Sequence, residues 1–533
     1  MNICLINPED PSAKRPYLKL DLMKRYFVSP YSVSHLGLGY LHAVLENEGH
    51  NVITIEMLLQ NKNIKEIESI ITNKKIQVVG ISSYTHNVKS TLTLTAFIKN
   101  KFPNIFIVLG GYLPTLSPET LLKNTSIDCC VIGEGEETFK ELIQKLDKGL
   151  NWNNVDGLAF IKKGDSKIYY TEPRKLISNL DALPFPNRIF TENSTKTVNI
   201  ITSRGCYGNC NYCSINAFYN KCKGPKVRRR TPENFIEELI ILQNEYGISH
   251  VKIQDDNFGI ASRNDREWFM KFYNLIKIHN IKMNYWCDIR ANEVISAPDI
   301  LKKFIEIGLD KIAVGLESLV DSQLEFYNKN VSASQNIAAL KIINSFGIDY
   351  NFNLIIFDPR STLNEVIEFI QKLKNMNFLF TNKNILLPVY GTIRAFAGTE
   401  VRKYVVNNGC YSNNYHYYDF LNDEIKHCYE TRSMWEKSIA IFDEYNSIYE
   451  ISRKYEDYNL TNKIFNLYKN VYYMDLDVFL YICEQIKIGC INPNLYKSVE
   501  IQFGYSRDKY IKKLLEHVNQ IQILINESSS IVR

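Results

Sequence analysis

SRGCYGNCNYCS, residues 203–214, sets three cysteines, Cys206, Cys210 and Cys213, apart by three and then two intervening residues. Three thiolates this close can hold three irons of a 4Fe–4S cluster and leave the fourth iron open to a substrate or cofactor. Tyr212, just before the last cysteine, would put a flat ring beside that open iron. A structural zinc site ordinarily takes four ligands, as two Cys-x-x-Cys units or with histidine. No second cysteine pair or His-x-His cluster stands nearby, and Cys222 follows nine residues later without a partner. Disulfides are disfavoured as well, because twelve cysteines in 533 residues is an ordinary density. The N-terminus, MNICLINPED, enters an apolar strand with neither a secretory signal nor an Arg-rich presequence.

The cysteine loop follows an apolar strand, TVNIITSRG (197–205), and from there to about residue 394 strand and helix alternate. Strands are expected near 198–202, 250–255, 283–288, 311–315, 350–357 and 385–388, with helices between them such as 232–245 and 298–307. Six such units predict a partial (β/α)6 barrel with its active residues at the carboxyl ends of the strands. At those ends stand Asp255-Asp256-Asn257, then Asp288 and Arg290, then Glu317-Ser318. Polar residues placed there can hold a charged amino acid. Several could equally cap the next helix, and Arg290 could equally brace the barrel rim.

The first 150 residues alternate in the same way, with strands expected at 3–6, 52–55, 78–82, 105–109 and 129–132 and helices at 36–48 and 88–99. This pattern predicts a doubly wound parallel sheet that binds ligands at its carboxyl edge. Three strand ends carry small or polar residues: Ser82-Ser83 with Thr85 just beyond, Gly110-Gly111, and Gly133-Glu134-Gly135. Together they make a flat surface on which backbone can approach a large planar ligand. Residues 155–171 read as a hairpin turning at Gly164-Asp165, and Pro184 and Pro186 mark a linker after it. Beyond 396 the chain is rich in Tyr, Asn and Lys with helical spacing, as at 463–473 and 476–486. Cys410, Cys428, Cys483 and Cys490 are too scattered there to suggest a second cluster. The expected organisation is therefore α/β: a doubly wound domain over 1–150, a hairpin and linker over 151–192, the partial barrel over 193–395, and a mostly helical domain over 396–533 that shapes substrate choice.

Composition narrows the partners. A formal charge of +5 is small for this length, and the densest basic patch, KCKGPKVRRR (221–230), suits a solvated loop or a carboxylate clamp as well as nucleic acid. No stretch approaches the ~18–20 apolar residues of a membrane span. With the thiols of an oxygen-sensitive cluster, the expected compartment is the cytoplasm.

The cysteine motif with Tyr212 resembles that of radical S-adenosylmethionine (SAM) enzymes. Residues 1–145 resemble the cobalamin-binding domain that precedes many such cores, through GLGYLHAVLENEGHNV (37–52), VVGISSYT (78–85), VLGGYLPTLSPE (108–119) and CCVIGEGEETFKEL (129–142). The resemblance implies a 4Fe–4S cluster on Cys206, Cys210 and Cys213, and SAM beside Tyr212, Asp256, Arg290 and Glu317. It implies cobalamin on Ser82, Ser83, Thr85, Gly110, Gly111, Gly133, Glu134 and Gly135. Cobalamin domains that ligate cobalt through histidine carry Asp-x-His-x-x-Gly, and this chain has no such motif. His35, His42 and His86 are therefore expected to pack or face solvent and not to ligate cobalt; the domain could also be vestigial and hold nothing. At the fifth strand, FDPRST (357–362) replaces the commoner Gly-x-Pro-x-Glu-Thr and resembles a subgroup that modifies peptides and natural products.

The activity so implied is C-methylation of an unactivated carbon in a peptide or natural product. One SAM yields a 5′-deoxyadenosyl radical that removes hydrogen, and a second SAM re-methylates cobalamin. An electron donor of flavodoxin or ferredoxin type is the expected partner; a membrane or nucleic-acid partner is not. Two alternatives stay open. One is an oxidative cyclase, epimerase or ring-contracting enzyme without methyl transfer; the other is a non-enzymatic iron–sulfur sensor or nucleic-acid-binding protein using 221–230.

Overall fold

The apolar runs of the N-terminal region become β1 (Asn2–Asn7), β2 (Asn51–Glu56), β3 (Val78–Ser82), β4 (Phe106–Gly110) and β5 (Cys129–Val131). In this computed structural model, residues 1–9, 34–124, 126–190, 197–380, 391–412, 416–444, 448–449, 452 and 457–531 are described. The five strands pair in parallel in the order β2-β1-β3-β4-β5. Each strand is apolar on both sides because helices cover both faces. Successive residues alternate between them: Ile3 and Leu5 pack with Leu38, Phe139 and Leu142, while Cys4 and Ile6 pack with Ile67, Leu94 and Ile98. The chain leaves β1 for β2 on one side and then crosses to β3 on the other. This makes a switch point whose carboxyl-end crevice is the usual ligand position in such sheets. The expected hairpin is present as β6 (Leu158–Ile161) and β7 (Ile168–Tyr170), and it extends this same sheet antiparallel to β5.

The second sheet begins with β8 (Thr197–Ile200), after which β9 (Ser203–Arg204) and β10 (Arg228–Arg229) form a short antiparallel ribbon around the cysteine loop. It continues with β11 (His250–Ile253), β12 (Asn284–Arg290), β13 (Leu309–Glu317), β14 (Asp349–Phe357) and β15 (Gly391–Thr392). All pair in parallel in chain order, β8-β11-β12-β13-β14-β15, which is the topology of a half barrel. Helices follow the strands, and their aromatic residues Phe235, Phe269, Phe272 and Phe304 are completely buried against the sheet. The strand expected at 385–388 lies outside the described residues.

The C-terminal region contributes the helices Asp423–Ile439, Tyr458–Lys487 and Asn494–Ile531. The two helical stretches expected at 463–473 and 476–486 are one helix. Asp475, between them, is buried and accepts from Arg432 at 2.9 Å and from the Trp435 indole at 3.1 Å, so this polar residue docks the helix and does not end it. Their apolar residues join the core under the helix Leu363–Lys374 on the outside of the half barrel. Among the described residues, no helix is long and apolar enough to cross a membrane.

Candidate active site between the strand ends

The loop that carries the cysteines is anchored by Asp255 at the end of β11. Its carboxylate is buried and accepts from the Thr202 and Ser203 N–H groups at 2.7 and 3.0 Å, from the Ser203 hydroxyl at 2.6 Å and from the Thr202 hydroxyl. Hydrogen bonds to a charged group are worth about 1.5–3 kcal/mol each, so Asp255 fixes where the loop starts. Gly205 then turns at φ +88, where an added Cβ would lie 2.0 Å from the Lys226 carbonyl oxygen. At Gly208 an added Cβ would lie 2.4 Å from the Arg290 guanidinium. That guanidinium donates to Cys210 Sγ at 3.3 Å and to the Lys329 carbonyl at 2.6 Å. Arg290, expected either on SAM or on the rim, is thus bound to a cysteine sulfur.

Cys206, Cys210 and Cys213 line one cavity of about 490 Å³ together with Tyr212, Asp256, Arg290 and Glu317. The fold brings together all seven residues that the sequence nominated for this region. Burial raises the Cys206 thiol, and the Cys213 thiol to about 12; bound iron would deprotonate both. Among the described residues, no three His, Cys, Asp or Glu side chains converge as ligands of a single ion. Thiolates that each take a different iron of a cubane stand further apart than ligands sharing one zinc. The donor set fits a cluster better than a mononuclear site.

Glu317 ends β13 at φ +66, a conformation a non-glycine residue rarely adopts, beside an irregularity in the pairing with β14. Lys329 holds it there with a buried ion pair at 2.9 Å. Tyr212 packs edge-on against Tyr327 at 5.8 Å, and burial, together with the Glu317 carboxylate, keeps its phenol protonated. Lys329 went unnoticed in the sequence. Its signal is Asn328-Lys329-Asn330, two left-handed asparagines (φ +51 and +57) that swing the lysine inward. Asp256 accepts from the Gly205 N–H at 2.8 Å and the Tyr219 hydroxyl at 3.3 Å, and burial raises its pKa to about 6.

Asp256 also belongs to a second cavity, a cleft of about 270 Å³ between the two sheets. One wall is the carboxyl edge of the first sheet, with Ser82, Gly110, Gly111 and the 133–135 loop; the other includes Arg204, Phe218 and Tyr219. Gly111 stands at φ +105, and an added Cβ would lie 3.0 Å from the Ser83 carbonyl oxygen. At Gly133, φ +85, it would lie 2.1 Å from Cys222 Sγ. At Gly110 it would meet nothing within 4 Å. Protein packing does not demand glycine there, and the open space above suits the flat face of a ligand such as a corrin.

Not every nominated side chain faces the cleft. Ser83 is completely buried and donates to Thr91 at 3.3 Å. Thr85 lines a third cavity, of about 500 Å³. The Glu134 carboxylate pairs with Arg228 at 2.8 Å and Arg204 at 3.1 Å and accepts from the Ile177 N–H at 2.9 Å, which ties the first sheet to the ribbon around the cysteine loop. His35 Nδ1 accepts from the Leu38 N–H at 3.1 Å, so the proton sits on Nε2, 3.0 Å from the Tyr84 hydroxyl and 3.2 Å from the Ser82 hydroxyl. With both nitrogens engaged and burial lowering its pKa, His35 offers no lone pair to a metal in the cleft.

The three arginines of the basic patch at 221–230 are consumed internally. Arg228 pairs with Glu134, Arg229 with Asp265 while lying over the Trp268 ring, and Arg230 with Glu238. These arginines clamp the protein's own carboxylates, while Lys221 and Lys223 stay exposed.

The B12 binding domain family matches residues 27–143, and the radical SAM superfamily matches residues 200–373. An uncharacterized methyltransferase of Pyrococcus horikoshii is 31% identical over 364 residues, 67% of this chain and 76% of that protein. An anaerobic magnesium-protoporphyrin IX monomethyl ester cyclase of Synechocystis sp. is 27% identical over 65% of this chain and 67% of its own length. Among solved structures, the cobalamin-dependent SAM radical enzyme OxsB, with aqua-cobalamin and SAM bound, superposes with a TM-score of 0.73. That match covers 99% of this chain and 80% of OxsB at 16% sequence identity, and it shows a shared fold.

Proposed function

Because the chain belongs to the radical SAM superfamily, in a branch with a B12 binding domain ahead of the half barrel, we propose that it is a cobalamin-dependent C-methyltransferase acting on an unactivated carbon. The observation that carries this reading is the shared wall at Asp256, which lines both the cysteine cavity and the glycine-edged cleft. Two cofactor sites that share a wall can serve one substrate in turn. When bound, the cluster, SAM and cobalamin supply reductive SAM cleavage and methyl carriage, and the protein supplies position and exclusion of water.

Cys206, Cys210 and Cys213 would hold the cluster. Arg290, donating to Cys210, would place a positive charge beside the sulfur that holds the cluster. The Glu317–Lys329 pair and Asp256 offer carboxylates to the ammonium group of SAM, while Tyr212 closes the cavity beside them. Gly110, whose missing side chain leaves open space, would give backbone access to a corrin face, and His35, with both ring nitrogens engaged, would not ligate the cobalt. The reductant is of flavodoxin or ferredoxin type and the compartment the cytoplasm; the support is a cluster that must be reduced and protected from oxygen.

A second reading, cyclisation without methyl transfer, is favoured by the likeness to the Synechocystis cyclase. Anaerobic turnover with deuteromethyl-SAM separates the two. The methyltransferase yields 5′-deoxyadenosine and S-adenosylhomocysteine in step with a product carrying the label. Cyclisation or epimerisation yields 5′-deoxyadenosine and modified substrate with no S-adenosylhomocysteine.

A further inference from the structure

The third cavity touches both cofactor sites. It shares Tyr84 and Tyr112 with the glycine-edged cleft, and Ile215 with the cysteine cavity. Its volume of about 500 Å³ falls within the range of about 300–1,000 Å³ that accommodates small organic ligands. Tyr84, Tyr112 and Phe396 give it apolar, ring-lined walls, and Arg394 and Arg402 supply positive charge. Among the described residues that line it, none is Asp or Glu. Arg402 is built in: it donates to the Ala395 carbonyl at 3.1 Å and to the Tyr411 hydroxyl, with its guanidinium 3.5 Å from the centre of the Tyr411 ring. Arg394 is exposed toward the cavity and has no ion pair among the described residues.

His416 is only 6% exposed, and neither ring nitrogen has a hydrogen-bond partner among the described residues. Burial, with Arg394, Arg402 and His86 adding to it, lowers its pKa to about 4. The Arg394 guanidinium, with no ion pair among the described residues and at the edge of an apolar cavity, is matched by an anionic group with two acceptor oxygens.

We infer that this third cavity is the substrate pocket, and that it takes a small molecule with an apolar or aromatic body and an anionic group, carboxylate or phosphate, held by Arg394 and Arg402. The inference rests on the proposed function, since it places the reacting carbon between the two cofactor sites, and it narrows the substrate from peptides and natural products to small anions.

The test is a binding measurement that needs no turnover. The full chain, reconstituted anaerobically with cluster and cobalamin, is dialysed to equilibrium against 1-naphthoate, 1-naphthyl phosphate and the neutral 1-naphthamide. At least one anion should bind about tenfold or more tighter than the amide, as the loss of a charge-assisted pair implies. The tighter anion distinguishes carboxylate from phosphate. Arg394→Gln should bring that preference within about twofold, and Arg394→Lys should keep part of it, with iron and corrinoid content verifying that each variant is folded and loaded. Equal binding of all three probes, binding of none, or a preference that survives Arg394→Gln would overturn the inference. None of these outcomes touches the methyl-transfer reading, which is decided by S-adenosylhomocysteine.

Discussion

Two parallel sheets face each other across one cleft, and they prepare their carboxyl ends in opposite ways. The first ends in residues with little or no side chain: Ser82, Gly110-Gly111 and Gly133. The second ends in thiols, carboxylates and cations: Cys206, Cys210 and Cys213, Asp256, Glu317 and Arg290. The same edge of the same architecture thus serves two ligand chemistries. A large planar group is admitted by leaving space, and a small charged one is gripped by filling it. The two ends are tied together by Glu134, which leaves the glycine loop to meet Arg204 and Arg228 on the ribbon.

The largest effects should come from removing what the second sheet provides. Cys206→Ala, Cys210→Ala or Cys213→Ala should abolish the iron-dependent absorption and all SAM cleavage, measured as 5′-deoxyadenosine, while corrinoid still binds. A cluster that survives in any of the three would break the contrast at its stronger side.

Adding a side chain should be the damaging change on the first sheet. Gly111→Val puts a side chain on a backbone conformation, φ +105 and ψ −165, that is essentially restricted to glycine and costs about 1–3 kcal/mol, and it meets the Ser83 carbonyl that lies 3.0 Å from the would-be Cβ. Corrinoid per chain after loading with hydroxocobalamin should fall well below one, with iron content unchanged. Full corrinoid occupancy in this variant would mean that the ligand does not use this edge.

A subtler effect is expected at Lys329. Lys329→Met leaves the Glu317 carboxylate buried without its partner, a loss of about 3–5 kcal/mol when such a pair is broken. Thermal melting should register it, and SAM affinity should fall while the cluster persists; a variant that melts and binds SAM as the parent does would remove Lys329 from the site. The smallest effect belongs to Cys222. Its sulfur packs against Gly133 and not toward the other cysteines, so Cys222→Ala should retain the full iron content.

The legible and illegible parts of the site differ in kind. Cys206, Cys210 and Cys213 act at fixed local spacing, so the sequence displays them directly, and apolar runs separated by helical stretches carry both parallel sheets. Arg290 and Glu134 stood at the right strand ends, but their partners lie 80 and 94 residues away at Cys210 and Arg228. Only the folded chain could show that Arg290 meets a thiol and that Glu134 ties the first sheet to the ribbon. The run Arg228-Arg229-Arg230 looked like a surface patch because its carboxylates, Glu134, Asp265 and Glu238, come from three separate elements. Asp475 sat inside a helix that the apolar pattern divided in two, since its partner Arg432 is on another helix.

The claim at the centre of this account is that both sites serve SAM, one cleaving it at the cluster and the other receiving its methyl group. It can be tested without knowing the substrate. The protein, loaded with cluster and chemically reduced cobalamin, is incubated anaerobically with deuteromethyl-SAM, and the extracted corrinoid is analysed by mass spectrometry. The corrinoid should carry the deuterated methyl group, with an equal amount of S-adenosylhomocysteine. An unlabelled corrinoid beside 5′-deoxyadenosine alone would contradict that claim.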